Sequence, residues 1–160
     1  MTIPFILDAW ASPNTEFAIK ILVGGARQRT CTSILNELQL GMSRGETVLE
    51  MANRVEPLLG ADREQAVRVA RNVVGAVLSE SHYLATLNTG MTHKIWICSR
   101  NPGQQLPGHL EVEARYRDDP CPIGEAFVVN GFRLRFPRDY LSGSPDDCID
   151  CQCAAIAKRL

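Results

Sequence analysis

Up to Gly90 the apolar residues recur at helical spacing, and from Thr92 they do not. That change of period constrains the fold more than any other feature. Ser12-Pro13 pairs an N-cap residue with proline at the first helical position. It leads into EFAIKILVGGARQRTCTSILNELQLG, with a break at Gly24-Gly25 and a stop at Gly41. SRGE, residues 43 to 46, has the pattern of a capping box, in which the serine oxygen and the glutamate satisfy each other's free backbone N–H groups. Val48, Met51 and Val55 then share one stripe until Pro57 ends that helix. A third helix is predicted from Asp62, with Gln65 in the box position and Ala66, Val69, Ala70, Val73, Val77, Leu84 and Leu87 on its buried face, as far as Gly90.

Beyond Thr92 the signals are those of strands and turns. HKIWIC reads as a short strand and LEVEA as a weaker alternating one, with the turn-rich NPGQQLPG between them. In FVVNGFRLRF, residues 127 to 136, Asn130-Gly131 suits a type I′ turn between antiparallel strands. Phe132, Leu134 and Phe136 are expected to face the core, and Arg133 and Arg135 the solvent. A short helical tail, AAIAKRL, is expected after residue 153. The predicted fold class is α+β: a helical N-terminal lobe over residues 1–90, then a small antiparallel, loop-rich β lobe over 91–160, the two forming one compact unit.

A lobe of that kind has few apolar anchors, which directs attention to its cysteines. Three of the six in the chain fall in CIDCQC, as Cys148, Cys151 and Cys153. Thiolates at such spacing converge on one tetrahedral ion from a tight turn. His109 and Cys121, each beside proline or glycine in a predicted loop, are the remaining candidates. A structural zinc held by four of His109, Cys121, Cys148, Cys151 and Cys153 would tie loop to loop. The competing interpretation is that the cluster consists of buried thiols acting as small apolar side chains, as is expected of Cys31 and Cys98. A disulfide is disfavoured: MTIPFILDAW lacks the basic start of a secretory signal, and a reducing compartment is expected. His82 and His93 are expected at the surface, and Asp118-Asp119 and Asp146-Asp147 in solvated turns.

Charge and motifs exclude several function classes. With 17 Lys/Arg against 18 Asp/Glu the chain has no overall nucleic-acid signature. No run of eighteen apolar residues is present to cross a membrane, and GxSxG, HExxH and phosphate-cradling glycine loops are lacking.

The order of features resembles the phage Mu F-like minor head proteins, the head morphogenesis family of tailed phages. The match runs through QLGMSRGE, the Arg/Ala-rich RVARNVV at 68 to 74, Gly90, HKIWI at 93 to 97 and Pro107-Gly108-His109. Phe127 with Gly131, FPRD at 136 to 139 and DCQC at 150 to 153 complete it, over roughly residues 34 to 156. The resemblance carries the family's histidine onto His109 and its CxC onto Cys151 and Cys153, leaving Cys148 and Cys121 as additions of this chain. The chain departs from the pattern at Asn72 and Val73, where the family has threonine and glutamate. It departs again at Asn101, Gln104, Leu106 and Glu113-Ala114. The resemblance implies a virion structural protein, assembled in the bacterial host cytoplasm, that binds major capsid or portal protein and associates with itself in a symmetric particle. Packaged DNA is a further candidate partner, and no membrane is implied. The alternative is a degenerate relative of a toxin-type nuclease or transferase; a nucleic-acid-binding zinc module is a third class, disfavoured by the neutral charge.

Overall fold

The computed structural model describes residues 5–160, so the first four residues of MTIPFILDAW lie outside the described residues. It is a mixed fold, helical first and then built of small antiparallel sheets. The helical part comprises α1 (Ile6–Trp10), α2 (Pro13–Leu22), α3 (Gln28–Ser43), α4 (Val48–Val55), a single 3₁₀ turn (Glu56–Leu59) and α5 (Arg63–Leu87). The remainder holds β1 (His93–Ile97), α6 (His109–Asp118), β2 (Cys121–Pro122), β3 (Phe127–Val129), β4 (Phe132–Leu134), α7 (Pro145–Cys148) and β5 (Ala154–Lys158).

α5 is the spine of the molecule. The Asp62 carboxylate caps it, accepting the Gln65 N–H at 3.0 Å. Ala66, Val69, Ala70, Val73 and Val77 form its buried stripe and meet Trp10, Ile19, Ile34, Leu38, Met51 and Val55 from the other helices. Leu87, by contrast, is exposed and Leu84 half-buried, because the last turns of α5 run past the end of that packing. Gly75 interrupts the helix at a cost of about 1 kcal/mol relative to alanine. Its bare surface is covered by Arg138: a Cβ there would stand 2.7 Å from the guanidinium carbon.

The capping box forms four residues later than SRGE suggests. Ser43 closes α3 and donates to the Leu40 carbonyl, and Gly45 reverses the chain at φ +72°. Thr47 and Glu50 then make the reciprocal cap of α4. The Gly24-Gly25 break separates α2 from α3 as expected.

β1 is the centre of a three-stranded sheet, ordered β2-β1-β5 with both pairings antiparallel. AAIAKRL is therefore a strand over most of its length and not a helix. Its alanines and lysine favour helix locally, yet pairing along the whole of β1, from His93↔Lys158 to Ile97↔Ala154, outweighs that preference. LEVEA is likewise not a strand but the first half of α6. Its apparent alternation conceals a helical stripe, with His109, Val112 and Glu113 buried and Tyr116 packed beside them, while Leu110 is exposed.

The hairpin β3-β4 forms with Asn130 at φ 48° and Gly131 at φ 87°. Leu134 and Phe136 are buried, but Phe132 is 44% exposed, since nothing packs over the tip beside the turn. Arg135 is half-buried, turned back to clamp the fully buried Asp139 with Nε at 2.7 Å and a terminal nitrogen at 2.9 Å. A second core fills this half, with Trp96, Phe127, Leu134 and Tyr140 meeting Ala18 of α2 and Ala76 of α5. Among the described residues no helix is long and apolar enough to cross a membrane.

Candidate metal centre

Three segments distant in sequence meet in that second core. β1 brings Trp96, the start of α6 brings His109, and the turn after α7 brings Cys151 and Cys153. Gly108, at φ 77°, aims α6: its N–H-side turn leaves no room for a Cβ, which would collide with the Asn130 side-chain oxygen. Pro145 follows the N-cap Ser144, whose Oγ accepts the Asp147 N–H at 3.3 Å and so starts α7.

The ligand-type atoms of His109, Cys151 and Cys153 all lie within 4.8 Å of one another, and all three residues are buried. His109 Nδ1 is 3.4 Å from the Cys153 sulfur and 3.8 Å from that of Cys151. Around a tetrahedral zinc, with Zn–S about 2.3 Å and Zn–N about 2.0–2.1 Å, a nitrogen–sulfur edge is about 3.6 Å. The triangle is thus of the size that a metal ion holds together.

The other imidazole nitrogen is engaged from behind. Nε2 lies 3.4 Å from Asp147 Oδ1, and Asp147 is itself fixed by Asn130 Nδ2 at 2.6 Å and Ser144 Oγ at 2.7 Å. Asn130 also donates to the Pro107 carbonyl, tying the hairpin turn to the loop that precedes His109. A carboxylate on the outer nitrogen sets the tautomer that leaves Nδ1 as a lone-pair donor, the arrangement typical of metal-bound histidines. Trp96 stands edge-on to the imidazole at 5.5 Å and to Phe127 at 5.2 Å, which keeps water away.

Electrostatics favour a thiolate in the triangle. The Cys151 thiol is held well below its ordinary pKa: it accepts from Cys153 and from His109, and the Arg138 charge is near, all against the opposing effect of burial. Cys153 is correspondingly raised, by the proton it shares with Cys151 and by its own burial. Burial works against a charged His109, but Cys151 and Asp147 outweigh it and raise its pKa. A divalent cation would take the place of these shared protons. The buried His/Cys/Cys cluster can therefore hold a metal ion.

Of the five residues expected to supply ligands, the structure brings together His109, Cys151 and Cys153. Cys148 and Cys121 stand outside that set. The Cys148 sulfur fills the notch at Gly143, where an added Cβ would be 3.0 Å from it. Burial first, and then the neighbouring Cys151, push its thiol far up. Cys121 pairs in register with Lys94 at the sheet edge, and burial raises its thiol as well. Cys31 belongs to the helical core, as expected.

Two residues of the site are not apparent from the sequence. Asp147 is 4% exposed and not in a solvated turn; the pattern Ser144-Pro145-x-Asp147, a helix start, was the available signal. Cys98 does more than fill space, since its sulfur lies 3.4 Å from that of Cys153. No protein family, curated protein or solved structure matches the chain.

A separate buried group surrounds Lys94, which is 2% exposed. Its ammonium donates to the Arg135 carbonyl at 2.7 Å and lies 4.8 Å from the ring centres of both Tyr83 and Phe127. Burial pulls its pKa down to about 8, with Cys121 and Asp139 acting in the opposite direction.

Proposed function

We propose that this protein is a structural component of a tailed-phage head that acts by binding capsid or portal subunits. A zinc ion on His109, Cys151 and Cys153 staples its C-terminal half. One observation carries the proposal: four residues from separate motifs of the resemblance to the head morphogenesis family form one packed cluster. Phe127 meets Trp96 at 5.2 Å between ring centres, Trp96 meets His109 at 5.5 Å, and the His109 imidazole meets the Cys153 sulfur at 3.4 Å. Collinear motifs that meet in space are what a shared scaffold requires, whereas chance similarities scatter over a fold.

Zinc is favoured over other ions by the donor set, because borderline-soft thiolate and imidazole ligands suit it and hard oxygen-seeking cations avoid it. A site whose three ligand-type residues are buried contributes folding free energy when it holds an ion, in keeping with a structural role for the metal. The deciding experiment is mass spectrometry of purified virions from a host that expresses the protein. The protein is expected in particles together with capsid and portal subunits. Its absence from particles, with the protein present in the lysate, overturns the assembly role.

A further inference from the structure

We propose that Cys98 is the fourth metal ligand, so that the site is a closed set of three thiolates and one imidazole. The inference rests on the metal centre proposed above but not on the virion role.

The triangle of His109, Cys151 and Cys153 needs one more donor to complete a tetrahedron. Candidates can be ranked by where they stand. Asp147 is on the wrong side of the imidazole: it meets Nε2, whereas both thiols meet Nδ1, so one ion cannot touch both groups. Cys148 is turned into the Gly143 notch, and Cys121 is on β2 beside Lys94. Cys98 touches the triangle at its Cys153 corner, with the sulfurs 3.4 Å apart. Two thiolates on one zinc are separated by about 3.8 Å, so the Cys153–Cys98 contact already has nearly the length of one tetrahedral edge, and closing the site requires the Cys98 sulfur to swing further toward His109 and Cys151. The same separation is far beyond a sulfur–sulfur bond of about 2.05 Å.

Three further features prepare Cys98 for coordination. It is 3% exposed, so water does not compete for the fourth position. Its backbone is held in place, the N–H donating at 2.9 Å to Glu113, a buried carboxylate that also receives Arg100 and Arg117. Most telling is Trp96, two residues earlier on the same face of β1. Its indole N–H is fully buried and meets no hydrogen-bond partner among the described residues. Such an orphan costs about 1–3 kcal/mol. An unpartnered N–H two residues from Cys98 is available as a donor to a sulfur that becomes a thiolate on metal binding. The Cys98 thiol donates a hydrogen bond to the His109 carbonyl at 3.1 Å. Loss of that proton on metal binding leaves the indole N–H as the donor to sulfur.

Charge agrees with this composition. Three thiolates and a neutral imidazole on a divalent ion carry a net charge of −1. Arg138, which lines the same hollow as Cys153 and whose buried Nε meets no hydrogen-bond partner among the described residues, supplies a compensating charge.

The test uses the full chain loaded with zinc. X-ray absorption at the zinc edge is expected to show three sulfurs at about 2.3 Å and one nitrogen at about 2.0–2.1 Å. Two sulfurs and two light atoms in the wild-type protein overturn the assignment of Cys98 and leave the metal centre standing. Absence of bound zinc overturns both. Cobalt(II) substitution provides the second arm: C98S is expected to lose about a third of the sulfur-to-metal charge-transfer intensity and to bind zinc at least about 10-fold more weakly. C31S should match the wild type. A C98S spectrum and zinc affinity equal to the wild type also overturn the proposal. Should C98S fail to fold, the absorption measurement on the wild-type protein decides alone.

Discussion

Asn72 and Asp150 are joined by two hydrogen bonds that run in opposite directions: the Asp150 backbone N–H donates to Asn72 Oδ1 at 2.7 Å, and Asn72 Nδ2 donates to Asp150 Oδ1 at 2.8 Å. The pair couples the middle of α5 to the turn between Cys148 and Cys151. Asp150 sits there at φ 58°, a conformation that asparagine and aspartate tolerate better than most residues. The Tyr140 hydroxyl donates to the same Asn72 oxygen at 3.3 Å, and Asn72 is 1% exposed. Asn72 is thus the clamp that holds the cysteine turn in place.

Replacing Asn72 with alanine removes the acceptor of the half-buried Asp150 N–H and leaves the Tyr140 hydroxyl with only the Cys148 carbonyl, at 3.4 Å. A loss of about 2–4 kcal/mol in unfolding free energy is expected. N72D keeps the acceptor but sets a second carboxylate against Asp150, so it should not rescue the loss. Urea denaturation of the two variants and the wild type measures both effects. A wild-type midpoint for N72A would show that the clamp is dispensable.

Asp147 orients His109 without being able to reach a metal on Nδ1. D147N is expected to keep the fold and weaken zinc binding by about 10-fold or more, because the imidazole loses the carboxylate that fixes its tautomer. D146N is the control, since Asp146 is exposed. Competition with a chromophoric chelator gives the affinities; equal values for the two variants would remove Asp147 from the site.

Lys94 makes the stability depend on pH in a defined direction. Its folded-state pKa of about 8 lies below the unfolded value of about 10.4, so between those limits the unfolded chain binds more protons. The Lys94 contribution to stability therefore rises as pH increases through that window. Burial moves the facing Cys121 and Tyr83 in the opposite sense, so the Lys94 term is isolated by comparison with K94M. The stability of wild type relative to K94M is expected to increase by about 2–3 kcal/mol between about pH 7 and about pH 10. A flat or falling difference would mean that Lys94 is not buried in its charged form.

Gly108 meets two constraints at once, a positive φ and the Asn130 side chain where a Cβ would sit. G108A should destabilise the protein by about 1–3 kcal/mol and weaken zinc binding as well, because Asn130 also holds Asp147. Gly124 has neither constraint, so G124A is expected to be neutral within about 0.5 kcal/mol. Thermal melts with and without a chelator separate the two effects.

How much of this was legible in the sequence depends on the range over which each choice is made. Local chemistry sufficed for the helical half, for the Ser12-Pro13 and Asp62 helix starts and for the Asn130-Gly131 turn, because caps and turns are settled within a few residues. Donor chemistry and spacing also placed His109, Cys151 and Cys153 among five candidate ligands, but could not set aside Cys121 and Cys148, which packing keeps out of the cluster. Tertiary structure decided the rest. AAIAKRL became a strand only because β1 offered it a partner, and LEVEA a helix because one side of it faces Trp96 and Phe127. Cys98, Asp147 and Asn72 look like a core thiol, a turn carboxylate and a lost motif position when seen alone. Each acquires its role from a group 38 to 78 positions away in the chain, and such pairings leave no local trace because they depend on packing between elements and not on the propensities within them.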